Sequence, residues 1–393
     1  MTSAFDQLRV IDFTTTIAGP HCTRLLSDLG AEVIKIEAPE GDMMRARPPL
    51  RNGASTSFGQ LNTGKKSIVL DLKRPEAIEI VRRLAGTADV LVENFRPGVM
   101  RRFGLDYEAL KALRPALIYC AISGYGQTGP SAALPAYAPV IHASSGYDMA
   151  HLAYQGVERR PDYCGIYIAD VLTGTYAFGA ILAALHQRRE TGQGQMIDVS
   201  MLESMLSLTL SEIQAAQFPV TPPGRPFFGP IKTGDGYVNL SVASERTFQN
   251  LAAACGREDW ISDPRFAKYP DRRANWGTLI DELEVWSQQR SSAEVQAVFD
   301  RHGVPASPYR TVREALADPQ LEHRGALAEV HDAGGSFRVL NPPFRFSEMR
   351  AAARPYVAAL GEHSAAVLAE LGYSRSEIAA LAGAGVIVAP PDP

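Results

Sequence analysis

The stretch that decides the fold is Leu8-Arg-Val-Ile-Asp-Phe13, then Thr14-Thr-Thr-Ile-Ala-Gly-Pro20, then His21 to Gly30, then Ala31-Glu-Val-Ile-Lys-Ile36. Its first six residues predict a short buried strand. Gly19-Pro20 marks a turn. From His21 to Leu29 the apolar residues Leu25, Leu26 and Leu29 recur at helical spacing, and Gly30 stops the helix. Ala31 to Ile36 predicts a second strand. A crossover of this kind joins parallel strands.

The pattern repeats outward. Ser67 to Leu72 reads as a strand and Pro75 to Ala85 as a helix, with proline in the first turn. Asp89 to Glu93 is a strand, Asp106 to Leu113 a helix, and Leu117 to Ile122 a strand. A long apolar helix follows from Gly165 to Gln187, then a strand at Met196 to Val199 and a helix at Leu202 to Gln217. Such alternation predicts an α/β fold with a doubly wound parallel sheet. Phe218 to Pro230 holds five prolines and reads as a linker or ordered loop. Beyond it come a strand at Gly236 to Val242 and a more polar, helical region over 246–315. Short strands follow over 324–348, and two closing helices over 361–383.

Composition narrows the function. The chain has 393 residues, 46% hydrophobic and 21% charged, with a formal net charge of -4. At roughly 150 residues per domain it is expected to hold two or three. The acidic balance argues against a nucleic-acid partner, although a local basic cluster still suits a small anion. No apolar run reaches the ~18 residues of a membrane span, and Met1 to Phe5 does not resemble a signal peptide. The four cysteines are dispersed and form no CxxC, which predicts reduced thiols in a cytoplasmic protein and no metal site.

The first β-α turn lacks GxGxxG, so a nicotinamide cofactor is not expected. Glu37 reads either as a ribose-binding carboxylate or as a solvated strand end. Lys65-Lys66, Lys73-Arg74, Arg96 and Arg101-Arg102 lie at or near strand ends, where they would suit phosphate oxygens or simply coat the surface. Asn94-Phe95 follows a strand, where the amide would bond a nucleotide and the ring would stack on it. Asp170 sits in an apolar stretch at the start of the long helix. It reads either as a first-turn carboxylate or as a nucleophile sheltered from water. His186 and His363 are expected to be exposed, and His142 and His151 to flank a loop. Neither HExxH nor GxSxG occurs, which removes metal hydrolysis and the hydrolase elbow.

At this point the sequence resembles the class III CoA-transferases along nearly its whole length. The resemblance rests on Arg9-Val-Ile-Asp-Phe13, Ala18-Gly-Pro20, Leu29-Gly-Ala-Glu-Val-Ile-Lys-Ile-Glu37, Gly41-Asp42, Asn62-Thr-Gly-Lys-Lys-Ser-Ile68, Val92-Glu-Asn-Phe-Arg-Pro-Gly98, Gly124-Tyr-Gly126, Gly192-Gln-Gly-Gln195 and Leu360-Gly-Glu-His363. It implies an acyl-CoA:carboxylate CoA-transferase in which Asp170 becomes an aspartyl-CoA thioester. CoA is then a substrate, and no permanently bound cofactor is expected. The implied CoA-binding positions are Thr16, Ile17, Ala18, Leu70, Lys73, Asn94, Phe95 and Arg102. The implied fold is a Rossmann-like large domain over 1–215 and 325–393, with linkers at 216–229 and 321–324. A smaller α+β domain would cover 230–320, and two chains would interlock as a homodimer.

The departures concern the substrate. Ile17 and Pro135 replace a glutamine and a lysine of formyl-CoA transferase, and Ala38 replaces a basic CoA contact. Gly224 to Gly229 is a shorter candidate for its active-site loop. An acid bulkier or more apolar than oxalate is therefore expected, with Tyr137, Gly224 and Gly229 near it. One alternative is an α-methylacyl-CoA racemase-type isomerase, whose histidine falls at Tyr137. His142, five residues on, is too far along to replace it. A second alternative is a non-catalytic CoA-binding protein.

Overall fold

The computed structural model describes residues 3–155, 160–162, 164–219 and 228–388. The chain divides into two compact units. The first comprises Met1–Met149, Pro161–Ile213 and Gln320–Pro393, and the second Ala150–Arg160 and Gln214–Pro319.

The first unit is built on a seven-stranded sheet. Its strands are β1 (Arg9–Asp12), β2 (Glu32–Glu37), β3 (Lys66–Leu70), β4 (Val90–Glu93), β5 (Ile118–Ser123), β6 (Met196–Ser200) and β7 (Ile387–Val388). They lie in the order β7-β3-β2-β1-β4-β5-β6. The first six are parallel, and β7 runs antiparallel along the edge of β3. The chain builds outward from β1 through β2 to β3, then returns to β1 and builds the other way. The loops after β1 and β4 therefore part, which opens a crevice at the carboxyl ends of the strands.

Alternate residues of each strand feed two cores. Ile11, Ile34, Ile68 and Leu91 pack against Ile80, Val81 and Leu84 of α2 (Pro75–Thr87). On the opposite face, Val10, Val33, Val92, Ile118 and Cys120 pack against two helices. These are α1 (Ala18–Asp28), through Cys22 and Leu26, and a long helix at Ile168–Thr191, through Ala177, Phe178 and Ile181. Each fully buried Leu or Ile contributes about 1.5–3 kcal/mol. The long helix has the length and composition of a membrane span, yet Ala169, Thr173, Ala177, Ile181 and Ala184 form a buried stripe at helical spacing.

The period of two that sends Val10 to the α1 face sends Asp12 there too, fully buried. A carboxylate there requires partners. Lys65, also buried, places Nζ 2.9 Å from Asp12 Oδ2, 2.8 Å from Thr23 Oγ1 and 2.9 Å from Asn62 Oδ1. Thr23 adds a hydrogen bond of 2.7 Å to the same carboxylate oxygen. Burial by itself would raise the Asp12 carboxyl; Lys65, Lys35 and the hydroxyls of Thr14 and Thr23 outweigh it and hold it at about 2.

The second unit contains a three-stranded antiparallel sheet, with Tyr237–Ser241 between Phe228–Lys232 and Ala306–Pro308. It packs helices Glu245–Cys255, Trp276–Ser287 and Ser292–His302 around Phe248, Trp260, Leu279 and Phe299.

Some expectations need correction. The helix anticipated over Leu202 to Gln217 is two, Met201–Leu206 and Leu210–Ala215. Ser207 and Thr209 turn their hydroxyls onto the carbonyls of Ser204 and Leu206, at 2.7 and 2.8 Å, and so compete with the helical ladder. His142 and His151 do flank a turn, at 145–146, but each lies within a helix. His363 is half-buried, with Nδ1 accepting the Ser67 amide at 3.3 Å.

Lys65→Met leaves Asp12 buried without its cation, and about 3–5 kcal/mol of stability should be lost. Urea unfolding at pH 7 measures it. In the wild type the Asp12 contribution is complete above its unfolded value of about 3.9. It disappears as pH falls through about 2, so the deficit of the variant should shrink on acidification.

Candidate active site

The turn between β1 and α1 is held from several sides. Asp12 Oδ1 accepts the Thr14 amide at 2.8 Å and its hydroxyl at 2.5 Å. Lys35, at the end of β2, donates to the Thr14 carbonyl at 2.6 Å and pairs with Asp42 at 3.0 Å. Asn94, just past β4, brackets Thr15, accepting its amide and donating to its carbonyl, both at 2.9 Å. Thr16 has a φ of +70°, a left-handed conformation that β-branched residues rarely adopt. These anchors hold it there.

Ile17 caps α1 without a side-chain hydrogen bond. The α1 N-terminus therefore presents bare amides. The Ala18 amide faces the carboxylate of Asp170, in the first turn of the long helix. Gly174 makes this approach possible. A Cβ at Gly174 would lie 2.3 Å from the Ala18 carbonyl oxygen. Asp170 lies four residues earlier, on the same face of the helix. His21 and Thr175 add a contact of 3.3 Å between the two helices. Asp170 is half-buried. Burial pushes its carboxyl up to about 6, while the amides of Ala18 and of Asp170 itself pull it back.

On the other side of the turn a cleft of about 350 Å³ opens at the carboxyl ends of β1 to β4. Thr15, Leu70, Lys73, Phe95, Val99 and Phe103 line it. Phe95 packs against Phe13 with ring centroids 6.5 Å apart. Glu37 and Asp42 also border the cleft, but both are neutralised. Glu37 accepts Arg45 at 2.7 and 2.8 Å and Ser67 at 2.6 Å, while Asp42 pairs with Lys35. Asp71, which accepts the Lys73 amide at 3.1 Å, and the exposed Glu40 also line the cleft, so it carries apolar and aromatic walls with Lys73 and these two acids at the rim. Thr15 lines the cleft and the Ala18 amide faces the carboxylate, so the two places lie on one turn, three residues apart.

The profile of CoA-transferase family III matches residues 5–364. The chain is 34% identical to the succinyl-CoA–D-citramalate CoA-transferase of Chloroflexus aurantiacus, over 97% of its own length and 98% of that protein. It is 34% identical to the succinate–glutarate CoA-transferase of Agrobacterium fabrum, over 93% and 94%. The crystal structure of a CaiB/BaiF family protein from Brucella suis matches with a TM-score of 0.82 at 34% identity, covering 94% of this chain and all of that one. The chain belongs to CoA-transferase family III.

Of the positions carried over from that family, Thr16, Ile17 and Ala18 form the turn, with Ile17 and Ala18 buried. Leu70, Lys73 and Phe95 line the cleft. Asn94 commits its amide to Thr15, so it shapes the turn rather than offering a free group. Arg102 is exposed at the end of the short helix Val99–Arg102, between the cleft residues Val99 and Phe103. Tyr137 stands 65% exposed as N-cap of α3 (Ala138–Ser144), and the long helix Ile168–Thr191 is hereafter α4. Gly229 lies on Phe228–Lys232 of the second unit, and Gly224 falls outside the described residues.

Sequence reasoning misplaced several charges. Lys65 is a buried partner of Asp12, and Lys66 opens β3 at its amino end, paired with Glu32 and Glu370. Neither reaches the crevice at the carboxyl ends. Glu37 is a buried, paired carboxylate rather than a solvated strand end. His142 is not remote from Asp170: its Nε2 accepts the Ala169 amide at 3.2 Å.

Gly174→Ala should cost about 1–3 kcal/mol through overpacking against Ala18. Gly86→Ala, at the exposed end of α2 where nothing lies within 4 Å of the new methyl group, should instead stabilise by up to about 1 kcal/mol. Thermal melts of both variants against wild type check this contrast.

Proposed function

We propose that this family III enzyme moves CoA from an acyl-CoA to a free carboxylic acid through an aspartyl-CoA thioester on Asp170. The observation that carries the reading is the half-buried Asp170 carboxylate, raised by burial and faced by the Ala18 amide. A carboxylate is a weak nucleophile in water; removed from water and fixed in place, it is a better one.

Asp170 attacks the thioester carbonyl of the donor. The C–S bond breaks, CoA leaves as thiolate, and a mixed anhydride joins Asp170 to the acyl group. The thiolate then attacks the Asp170 carbonyl and expels the donor acid as carboxylate, leaving the aspartyl-CoA thioester. The acceptor carboxylate repeats these steps in reverse, forming the new acyl-CoA and freeing Asp170. No water is consumed, and no net proton moves. The amide that faces the carboxylate is suited to the oxyanion of each addition.

The cleft suits the nucleotide end of CoA. Phe95 and Phe103 offer rings to a base, and Lys73 and Arg102 offer charge to phosphates. An acceptor larger than oxalate agrees with the absence of a polar side chain at Ile17; the relatives' names do not decide it, since some are named for D-citramalate and glutarate and others for oxalate. A racemase would need a second base, but Tyr137 is exposed and His142 is occupied as an acceptor. A homodimer is supported by apolar groups left exposed along α4 and just before it, among them Ile166, Tyr167, Val171 and Tyr176.

Incubation with a panel of acyl-CoAs without acceptor should give a covalent CoA adduct in intact-protein mass spectrometry. Hydroxylamine should remove it, and Asp170→Asn should never form it. A wild type that stays unlabelled while exchanging α-protons in deuterated water would favour the isomerase. The reactive form is the carboxylate, so the adduct rate should fall as pH drops below about 6, the opposite of a mechanism that needs the acid. Light scattering on the purified protein should return twice the chain mass, and a monomer would refute the dimer.

A further inference from the structure

The N-terminus of α4 can be accounted for amide by amide. Its N-cap, Tyr167, supplies no side-chain hydrogen bond. The Ile168 amide reaches the Ile166 carbonyl at 3.0 Å, and the Val171 amide reaches the Tyr167 carbonyl at 3.1 Å. The Asp170 amide faces its own carboxylate. The remaining one, Ala169, is fully buried and donates to Nε2 of His142 at 3.2 Å. A histidine on another helix thus does what the N-cap residue does not.

We propose that His142 is a positioning residue for Asp170: as a neutral imidazole accepting the Ala169 amide through Nε2, it fixes the backbone one residue before the nucleophile, and protonation of that nitrogen releases it. This rests on the assignment of Asp170 made above.

The surroundings hold the imidazole in the accepting form. His142 is buried, and burial lowers its basicity against the pull of Asp148 in the following helix, Tyr147–Tyr154. The ring of Tyr147 lies 5.9 Å away. From α4 come the Ala169 amide and, next to it, Asp170. Met201–Leu206 contributes Met201 and Met205 to the cluster of Ile141 and Ala169, while its charged residue Glu203 is exposed. The positive end of the α4 dipole also opposes an imidazolium at this point. Once protonated, Nε2 has no lone pair for Ala169, which returns a buried amide to the orphan state.

Two variants separate positioning from mere packing. His142→Gln keeps an acceptor that does not titrate; His142→Ala removes it. Hydrogen exchange across 166–171 in the full-length protein, with no substrate present, should be about five- to tenfold faster in H142A and close to wild type in H142Q. Thermal melts verify that both variants fold. With acyl-CoA, adduct formation should slow about tenfold in H142A and hold within about twofold in H142Q. The acid limb is the readout that packing alone would not move. In the wild type, protonation of His142 should add a further loss of up to about tenfold to that caused by protonation of Asp170, so the acid limb steepens beyond a slope of one before returning to it. In H142Q the slope should stay at one throughout. Unchanged exchange in H142A, or the same steepened limb retained in H142Q, would overturn the proposal. A wild type that forms no adduct would defeat the Asp170 reading instead, and exchange alone would then decide whether His142 caps the helix.

Discussion

The ion pair between Asp12 and Lys65 is the constraint from which the site follows. Both groups are buried in the layer between the central strand and α1, where neither charge is tolerable alone. Their pairing fixes more than two side chains. The carboxylate also takes the amide and hydroxyl of Thr14, and the ammonium takes the Pro20 carbonyl and the hydroxyl of Thr23 on α1. Strand end, turn and helix start are thereby tied to one point. Lys35 and Asp42 form a second pair beside it, reaching the same turn through the Thr14 carbonyl and the Thr16 amide. Only Asp42 Oδ2 lacks a hydrogen bond in this network, held instead by the charge of Lys35; a polar network so densely connected is rigid, since each group that moves strands another. That rigidity holds Thr16 in its strained conformation and directs the Ala18 amide at Asp170.

The second element is distance. Helices whose backbones nearly touch need a residue without a side chain at the contact, and Gly174 is that residue. Close approach places Asp170 where water is scarce and an amide is near. Burial raises the carboxyl, and the amides limit the rise. The result is a group near 6: ionised at neutral pH, yet less solvated than a surface carboxylate. For the nucleophile proposed here, a stronger anion hole would hold the carboxylate too well to attack, and deeper burial would protonate it.

Much of this was legible in the sequence. The β-α-β alternation follows from the apolar runs, and the family resemblance marks Asp170, which its apolar flanks already make conspicuous. What was hidden depended on partners distant in the chain. Lys65 and Lys66 read alike as surface cations, but β3 begins at Lys66, which sends one into the core and the other to the amino edge, far from the crevice. Glu37 looked solvated because Arg45 and Ser67 meet it only in the fold. Gly174 carries no signal of its own in the sequence, since nothing local shows that Ala18 passes behind it. His142 was set aside for its distance along the chain from Tyr137, although the group it meets is on another helix. The edge strand β7 is two residues long, too short for any periodicity.

The most direct test locates the covalent intermediate. The enzyme is incubated with an acyl-CoA donor, reduced with borohydride, digested and sequenced by mass spectrometry. An aspartyl thioester would be reduced to the alcohol, so residue 170 should be found as homoserine, one oxygen fewer and two hydrogens more than aspartate. Homoserine at position 170 alone, dependent on the donor, is the predicted result. Reduction at another carboxylate, such as the buried Glu93 or the exposed Glu203, with Asp170 intact, would contradict the account.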